Sequence, residues 1–179
     1  IIKICDKYLR EKSDFKRPKN ISLDSTPIFD VLKFVFNKYK KLGFDFENIL
    51  LMTPCSPLIN QKDIKNCFEI LKNNKNNNPV ISVSSMPAPI EYSYKINNNG
   101  ILKPIFQKKI SVNSNKLQES YYDTGNIILF NKKHLLNNKN TKKFYKIFLP
   151  YIIPKYRAVD IDNIKDWKYA ELLHRIIKN

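Results

Sequence analysis

The sequence reads as an α/β domain built around a mainly parallel sheet. Two short strand-like runs, residues 49–52 and 80–84, flank a segment in which Ile64, Cys67, Phe68 and Leu71 recur at helical spacing. Strand–helix–strand order of this kind predicts a right-handed crossover between parallel strands. Ile49-Leu50-Leu51-Met52 is apolar at every position, which suits a strand buried on both faces. Tyr92, Tyr94 and Ile96 alternate ahead of Asn97-Asn98-Asn99-Gly100, and Ile101, Leu102 and Ile105 follow. That pattern predicts a β-hairpin over about residues 91–106, projecting from the sheet.

The remaining elements follow in chain order. Ile1, Ile4, Cys5, Tyr8 and Leu9 predict an amphipathic helix, and Ile28, Val31, Leu32, Val35, Tyr39 and Leu42 a longer one. Between them, residues 14–25 are polar and contain Arg17-Pro18, as a loop would. Thr53-Pro54-Cys55-Ser56-Pro57 closes the first strand, and the Asn-rich tract 73–78 ends the following helix. Residues 126–130 read as a further strand, 142–149 as a short helix and 156–162 as an extended segment. Asn163 caps a final predicted helix over 164–177, with Asp166 near the capping-box position and Ile164, Trp167, Ala170, Leu173 and Ile177 on its inner face. No repeat or linker divides the chain, so residues 1–179 read as a single domain.

Composition narrows the function classes. The chain has 179 residues, of which 42% are hydrophobic, enough for one core of ordinary size. The longest apolar stretch, residues 148–154, falls far short of the roughly 18 residues that a membrane-spanning helix needs. No secretory pattern opens the chain, so no membrane association and a cytoplasmic location are expected. Cys5, Cys55 and Cys67 are odd in number and lack a C-x-x-C pair, and the imidazoles are His134 and His174 alone. Zinc sites, disulfide frameworks and Ser-His-Asp catalysis are therefore disfavoured. The net charge is +16, but only Arg10, Arg17, Arg157 and Arg175 among the 32 basic residues are arginine. Scattered Lys gives a solvated basic surface with salt-sensitive attraction to polyanions, without the Arg forks that read base edges, so no specific nucleic-acid partner is expected.

The sharpest chemical feature is Val159-Asp160-Ile161-Asp162. On an extended segment Asp160 and Asp162 point the same way while Val159 and Ile161 enter the core. Two aligned carboxylates can hold a hard divalent cation such as Mg²⁺, whose other positions go to water and phosphate oxygens, an arrangement suited to phosphoryl or nucleotidyl transfer. The competing reading is a pair of strand-end carboxylates, one of which helps to cap the next helix.

The surrounding motifs form a familiar series. Lys16-Arg17-Pro18-Lys19-Asn20, Asp24-Ser25-Thr26-Pro27, Leu50-Leu51-Met52-Thr53-Pro54-Cys55-Ser56-Pro57-Leu58, Gly125-Asn126-Ile127-Ile128-Leu129 and Val159-Asp160-Ile161-Asp162 come in the order found in the acylneuraminate cytidylyltransferases. The chain resembles that family, the CMP-sialic acid synthetases, from end to end. Tyr121-Tyr122-Asp123-Thr124-Gly125 is similar to its pseudaminic acid branch.

The resemblance implies a Rossmann-like three-layer nucleotidyltransferase fold. It implies transfer of CMP from CTP to the anomeric hydroxyl of a nine-carbon α-keto acid sugar, with Mg²⁺ required and pyrophosphate released. Asp160 and Asp162 match the family's metal pair, Arg17 an Arg near the cytidine, and Thr53, Tyr121 and Asp123 the sugar side. It also implies a homodimer with a contact through the hairpin. Thr53 stands where the sialic branch carries a Gln, Cys55 occupies a Thr position, and Asn113 and Ser114 stand where an Arg helps to bind the acidic sugar. The family's opening strand and basic triphosphate loop have no counterpart, so the domain is expected to be N-terminally truncated. Three alternatives stay open: a non-catalytic domain whose phosphate loop comes from a separate segment, a basic nucleic-acid-binding module, and a synthetase for another keto-sugar acid such as legionaminic acid or KDO.

Overall fold

A computed structural model describes residues 14–138 and 141–178. The helix expected around Ile4 and Tyr8 lies outside the described residues. The strands in it are β1 (Asn48–Met52), β2 (Val80–Ser85), β3 (Tyr94–Ile96), β4 (Leu102–Pro104), β5 (Tyr121–Asn131) and β6 (Leu149–Ile152). The helices are α1 (Ile28–Lys41), α2 (Gln61–Lys72), α3 (Lys132–Asn137), α4 (Thr141–Phe144) and α5 (Ile164–Lys178). No described helix is long and apolar enough to cross a membrane.

The main sheet has the order β1-β5-β2-β6. β2 and β6 are parallel, and β5 is antiparallel to both β1 and β2, so β1, β2 and β6 share one direction and β5 is reversed between them. This is an α/β sheet compatible with a Rossmann-like nucleotidyltransferase fold. It differs from the expected simple crossover in that β1 and β2 are not neighbours, because β5 fills the slot between them. Successive β5 side chains serve opposite faces, as strand geometry requires. Ile128 and Phe130 join Phe29, Leu32 and Phe36 of α1 together with Phe144, while Ile127 and Leu129 join Val80 and the α2 residues Cys67 and Leu71. Helices thus cover both faces.

Other local expectations meet the structure as follows. The hairpin forms as the antiparallel pair β3–β4, with Gly100 at φ +75° supplying the left-handed turn conformation that glycine tolerates. Residues 142–149 are not one helix, since α4 ends at Phe144 and the apolar run from Leu149 pairs with β2 as β6. Tyr121 and Asp123 lie on β5, which begins earlier than the apolar run alone suggests. Residues 156–162 are irregular and not extended throughout, because Lys155–Arg157 makes a 3-10 turn. Of the expected inner face of α5, Ala170 and Leu173 are buried, packing with Leu58 and Val159, whereas Ile164, Trp167 and Ile177 are exposed. His134 packs against Phe130 and Phe144, its Nε2 3.0 Å from the Phe144 carbonyl, and burial lowers its pKa. His134 is thus a half-buried packing residue beside Phe144.

Candidate functional site

The site begins with an irregularity in β5. Ile81 faces Ile128 but Val83 faces Asp123, so residues 124–127 stand opposite Ser82 alone. Such a bulge leaves backbone groups unpaired unless a side chain satisfies them. Ser82 does so. Its Oγ accepts from Ile127 N at 2.9 Å and from Thr124 Oγ1 at 2.7 Å, and Thr124 also reaches the Ser82 carbonyl at 3.1 Å.

The bulge sets Gly125 in the left-handed region, at φ +68°. A Cβ on Gly125 would lie 3.3 Å from Asp160 Oδ2, so this glycine lets the backbone lie against the carboxylate. Asp123 Oδ1 accepts from Gly125 N at 2.9 Å, and Thr53 Oγ1 donates to the Gly125 carbonyl at 3.1 Å. With its proton committed there, Thr53 takes the acceptor role in its 2.6 Å contact with Ser56 Oγ. Ser56 in turn accepts from Asn126 Nδ2 at 2.9 Å. A single directional chain, Asn126 to Ser56 to Thr53 to Gly125, therefore joins β5 to the loop after β1.

The same two elements hold the acidic segment on both sides of Asp160. Asn126 Nδ2 donates to the Val159 carbonyl at 3.3 Å, and Ile161 N donates to the Cys55 carbonyl at 3.2 Å. Val159 is buried, Ile161 half-buried, and Asp160 and Asp162 exposed, so the alternation expected of D-x-D survives without a strand. Downstream, Asn163 Oδ1 accepts from Lys165 N and Asp166 N, while Asp166 Oδ2 accepts from Asn163 N and Asp162 N. This is the reciprocal cap expected at the start of α5. Asn163 and Asp166, and not either D-x-D carboxylate, supply the capping oxygens.

The Asp160 carboxyl has its pKa raised, first by loss of solvation and then by the charge of Asp162, with further contributions from Asp166 and Asp123 and an opposing backbone hydrogen bond from Ile161. A cation there would relieve that repulsion. Among the described residues no group of three or more His, Cys, Asp or Glu side chains forms a cation site. The hard-oxygen pair Asp160 and Asp162 fits Mg²⁺, which takes one or two protein carboxylates and leaves its other positions to water and phosphate.

The expected site residues separate into two groups. Thr53, Asp123 and Asp160 gather around Gly125, and Asp162 acts on Asp160 through its charge. Tyr121 is exposed at the outer end of β5, its hydroxyl donating to Glu119 at 2.8 Å. Arg17 lies in the loop before the 3-10 turn Lys19–Ile21, with its Nε donating to Ser22 Oγ at 3.2 Å. Neither has a described contact with the Gly125 cluster. Ser56, Ser82 and Asn126 are further site residues that the motifs do not mark: Ser82 and Asn126 are polar residues inside otherwise apolar strands, which is a signal that could find them, whereas Ser56 sits in the loop after β1 with no such signal. Of the described cysteines, Cys55 contributes its backbone carbonyl, and burial together with Asp63 pushes the Cys67 thiol up to about 12.

Similarity to known proteins runs the length of this arrangement. The chain is 22% identical over 176 residues to a pseudaminic acid cytidylyltransferase of Campylobacter jejuni, an alignment covering 98% of the chain and 74% of the relative. The chain is similar to the acylneuraminate cytidylyltransferases. It is also 26% identical over 162 residues to a CMP-N,N'-diacetyllegionaminic acid synthase of Legionella pneumophila, covering 88% of the chain and 66% of that relative. No family model matches the chain. The names of both relatives of this cytidylyltransferase-like chain include an acid, pseudaminic or diacetyllegionaminic, and the 98% coverage by the first leaves β1, β5 and the acidic segment inside the region shared with it.

Proposed function

We propose that the domain transfers CMP from CTP to the anomeric hydroxyl of an acidic nine-carbon keto-sugar of the pseudaminic, legionaminic or sialic type. The observation that carries this reading is the tethering of Asp160 against Gly125, with Asp162 beside it, at the end of β1 and next to the bulge in β5. Crevices at the carboxyl ends of strands are where α/β sheets bind ligands. Mg²⁺ held by Asp160 and Asp162 would neutralise phosphate charge during displacement. The chain's own part is positional. Thr53, Ser56 and Asn126 fix Gly125, and Asn126 and the Cys55 carbonyl fix the backbone around Asp160, so the carboxylates are oriented before substrate arrives. Asp123, beside Gly125, and Tyr121 face the sugar in this reading, and Arg17 the cytidine. CTP is a cytosolic nucleotide, which puts the reaction in the cytoplasm.

The test is pyrophosphate release from CTP with Mg²⁺ and each of the three acids, for the wild type and Asp162→Ala. The expected result is turnover with one acid, lost on addition of a chelator and lost in the variant. Absence of turnover with every acid would favour a second reading, in which the domain binds nucleotide or sugar and takes its phosphate ligands from a separate segment. That reading is supported by β1, an apolar strand with no described partner on its outer edge. The hairpin exposes Ile96 at 71% and Leu102 at 58%, which supports a homodimer formed through β3–β4. Ile96→Lys would then convert a sedimenting dimer to monomer.

A further inference from the structure

We infer that Arg157 and Asp63, distant from Asp160 in charge role but joined to it through the backbone, are positioning residues for the acidic pair. The inference rests on reading Asp160 and Asp162 as cation ligands. Asp63 is almost wholly buried, at 1% exposure, in the first turn of α2. A buried carboxylate persists only when its oxygens are satisfied, and here every partner belongs to a different part of the site's support. Oδ2 accepts from Asn60 N at 2.8 Å and closes the α2 capping box, whose other half is Asn60 Oδ1 accepting from Asp63 N. Oδ1 accepts from the Tyr151 hydroxyl of β6 at 2.6 Å. Arg157 Nη2 pairs with Oδ2.

Arg157 extends the network to the site. Its Nε and Nη2 also donate to the Leu58 carbonyl, at 3.4 and 3.2 Å, so one guanidinium grips both α2 and the loop whose Cys55 carbonyl holds Ile161 N. Arg157 stands three residues before Asp160, and the 3-10 turn that carries it closes with Ala158 N bonded to the Pro154 and Lys155 carbonyls. Only Val159, itself anchored in the core beside Leu58, and Ala158 separate that fixed turn from the carboxylate. The acidic segment is thus tied at Arg157, Val159 and Ile161 and, through Asp166 Oδ2, at Asp162 N; among these ties Arg157 is the one made by a cationic side chain among the described residues. Lysine would keep the charge facing Asp63 but lacks the fork that also holds Leu58.

The experiment is a Mn²⁺ titration of the full chain to millimolar concentration, followed by water-proton relaxation, for the wild type, Arg157→Lys, Tyr151→Phe and Asp160→Asn, with a thermal melt of each. Asp160→Asn should abolish the binding. Arg157→Lys should fold and weaken Mn²⁺ binding about tenfold, the lower range for residues that support metal ligands, and Tyr151→Phe should weaken it by less. A folded Arg157→Lys with wild-type affinity overturns the inference, even if its melting temperature falls, and leaves the reading of the acidic pair standing. A wild type that binds no Mn²⁺ overturns both. Should Arg157→Lys not fold, wild-type affinity in Tyr151→Phe overturns the inference and weakened binding supports it.

Discussion

β1 and β2 are short strands of the same sheet, running in the same direction, one on each side of β5. β1 is Asn-Ile-Leu-Leu-Met and only half-buried along its length, whereas β2, Val-Ile-Ser-Val-Ser-Ser, has Val80, Ser82 and Ser84 at 0% exposure. The more apolar strand is the less buried. Position decides it, because β2 has β5 and β6 as neighbours while β1 ends the described sheet. The serines of β2 are tolerated in the interior because Ser82 has a hydrogen-bonding task in the β5 bulge, whereas Ser84 Oγ has no partner among the described residues. Hydrophobicity says which strands can be central. The arrangement of neighbours says which ones are.

Truncating one leucine in central β5 and one in edge strand β1 gives the largest expected contrast. Leu129→Ala, at 0% exposure in β5, should cost about 3 kcal/mol in urea unfolding. Leu50→Ala in half-buried β1 should cost only about 1 kcal/mol. Equal costs would mean that the outer edge of β1 is covered in solution, and would break the comparison.

The next effect in size belongs to Ser82→Ala. It removes the acceptor of Ile127 N and Thr124 Oγ1 in the buried middle of the sheet and should cost about 2 kcal/mol. A neutral result would show that the bulge rearranges without it. Gly125→Ala should cost roughly 1 kcal/mol, since φ +68° disfavours any Cβ. Its effect on turnover should be larger than that cost suggests, because the new Cβ meets Asp160 Oδ2. Loss of stability with turnover retained would detach Gly125 from the site.

The same contrast explains what could be read in advance. Periodicity located α1, α2 and α5, and Asn163 with Asp166 announced the cap that the structure forms, since both signals act within one turn of chain. β5 lying between β1 and β2 was not legible, because strand order depends on partners far apart in sequence. Nor was the bulge: Thr124, Gly125 and Asn126 carry no local mark of irregularity beyond the glycine. For the candidate site, Asp160 and Asp162 could be named from their alternation with Val159 and Ile161. What holds them could not, since Asn126 donates to the Val159 carbonyl from 33 positions away and Arg157, beside the acidic segment, grips the Leu58 carbonyl 99 positions away.

The smallest expected effect distinguishes a site built for a ligand from one built for stability. Asp160 has its pKa raised by desolvation and by the neighbouring carboxylates, above an ordinary value of 3.8. A raised carboxyl binds its proton more tightly in the folded chain than in the unfolded one. Its contribution to stability is full below pH 3.8 and is lost as the pH rises through the folded-state value. At neutral pH the ionised Asp160 therefore works against folding. Asp160→Asn should raise the melting temperature slightly at pH 7, with the gain fading towards acid pH, while removing metal-dependent turnover. Mg²⁺ should stabilise the wild type and leave the variant unchanged, because the cation and the substitution relieve the same repulsion. A variant that melts lower than the wild type at pH 7 would make Asp160 a structural carboxylate. The site would then lose the feature that separates it from the well-satisfied interior around Ser82.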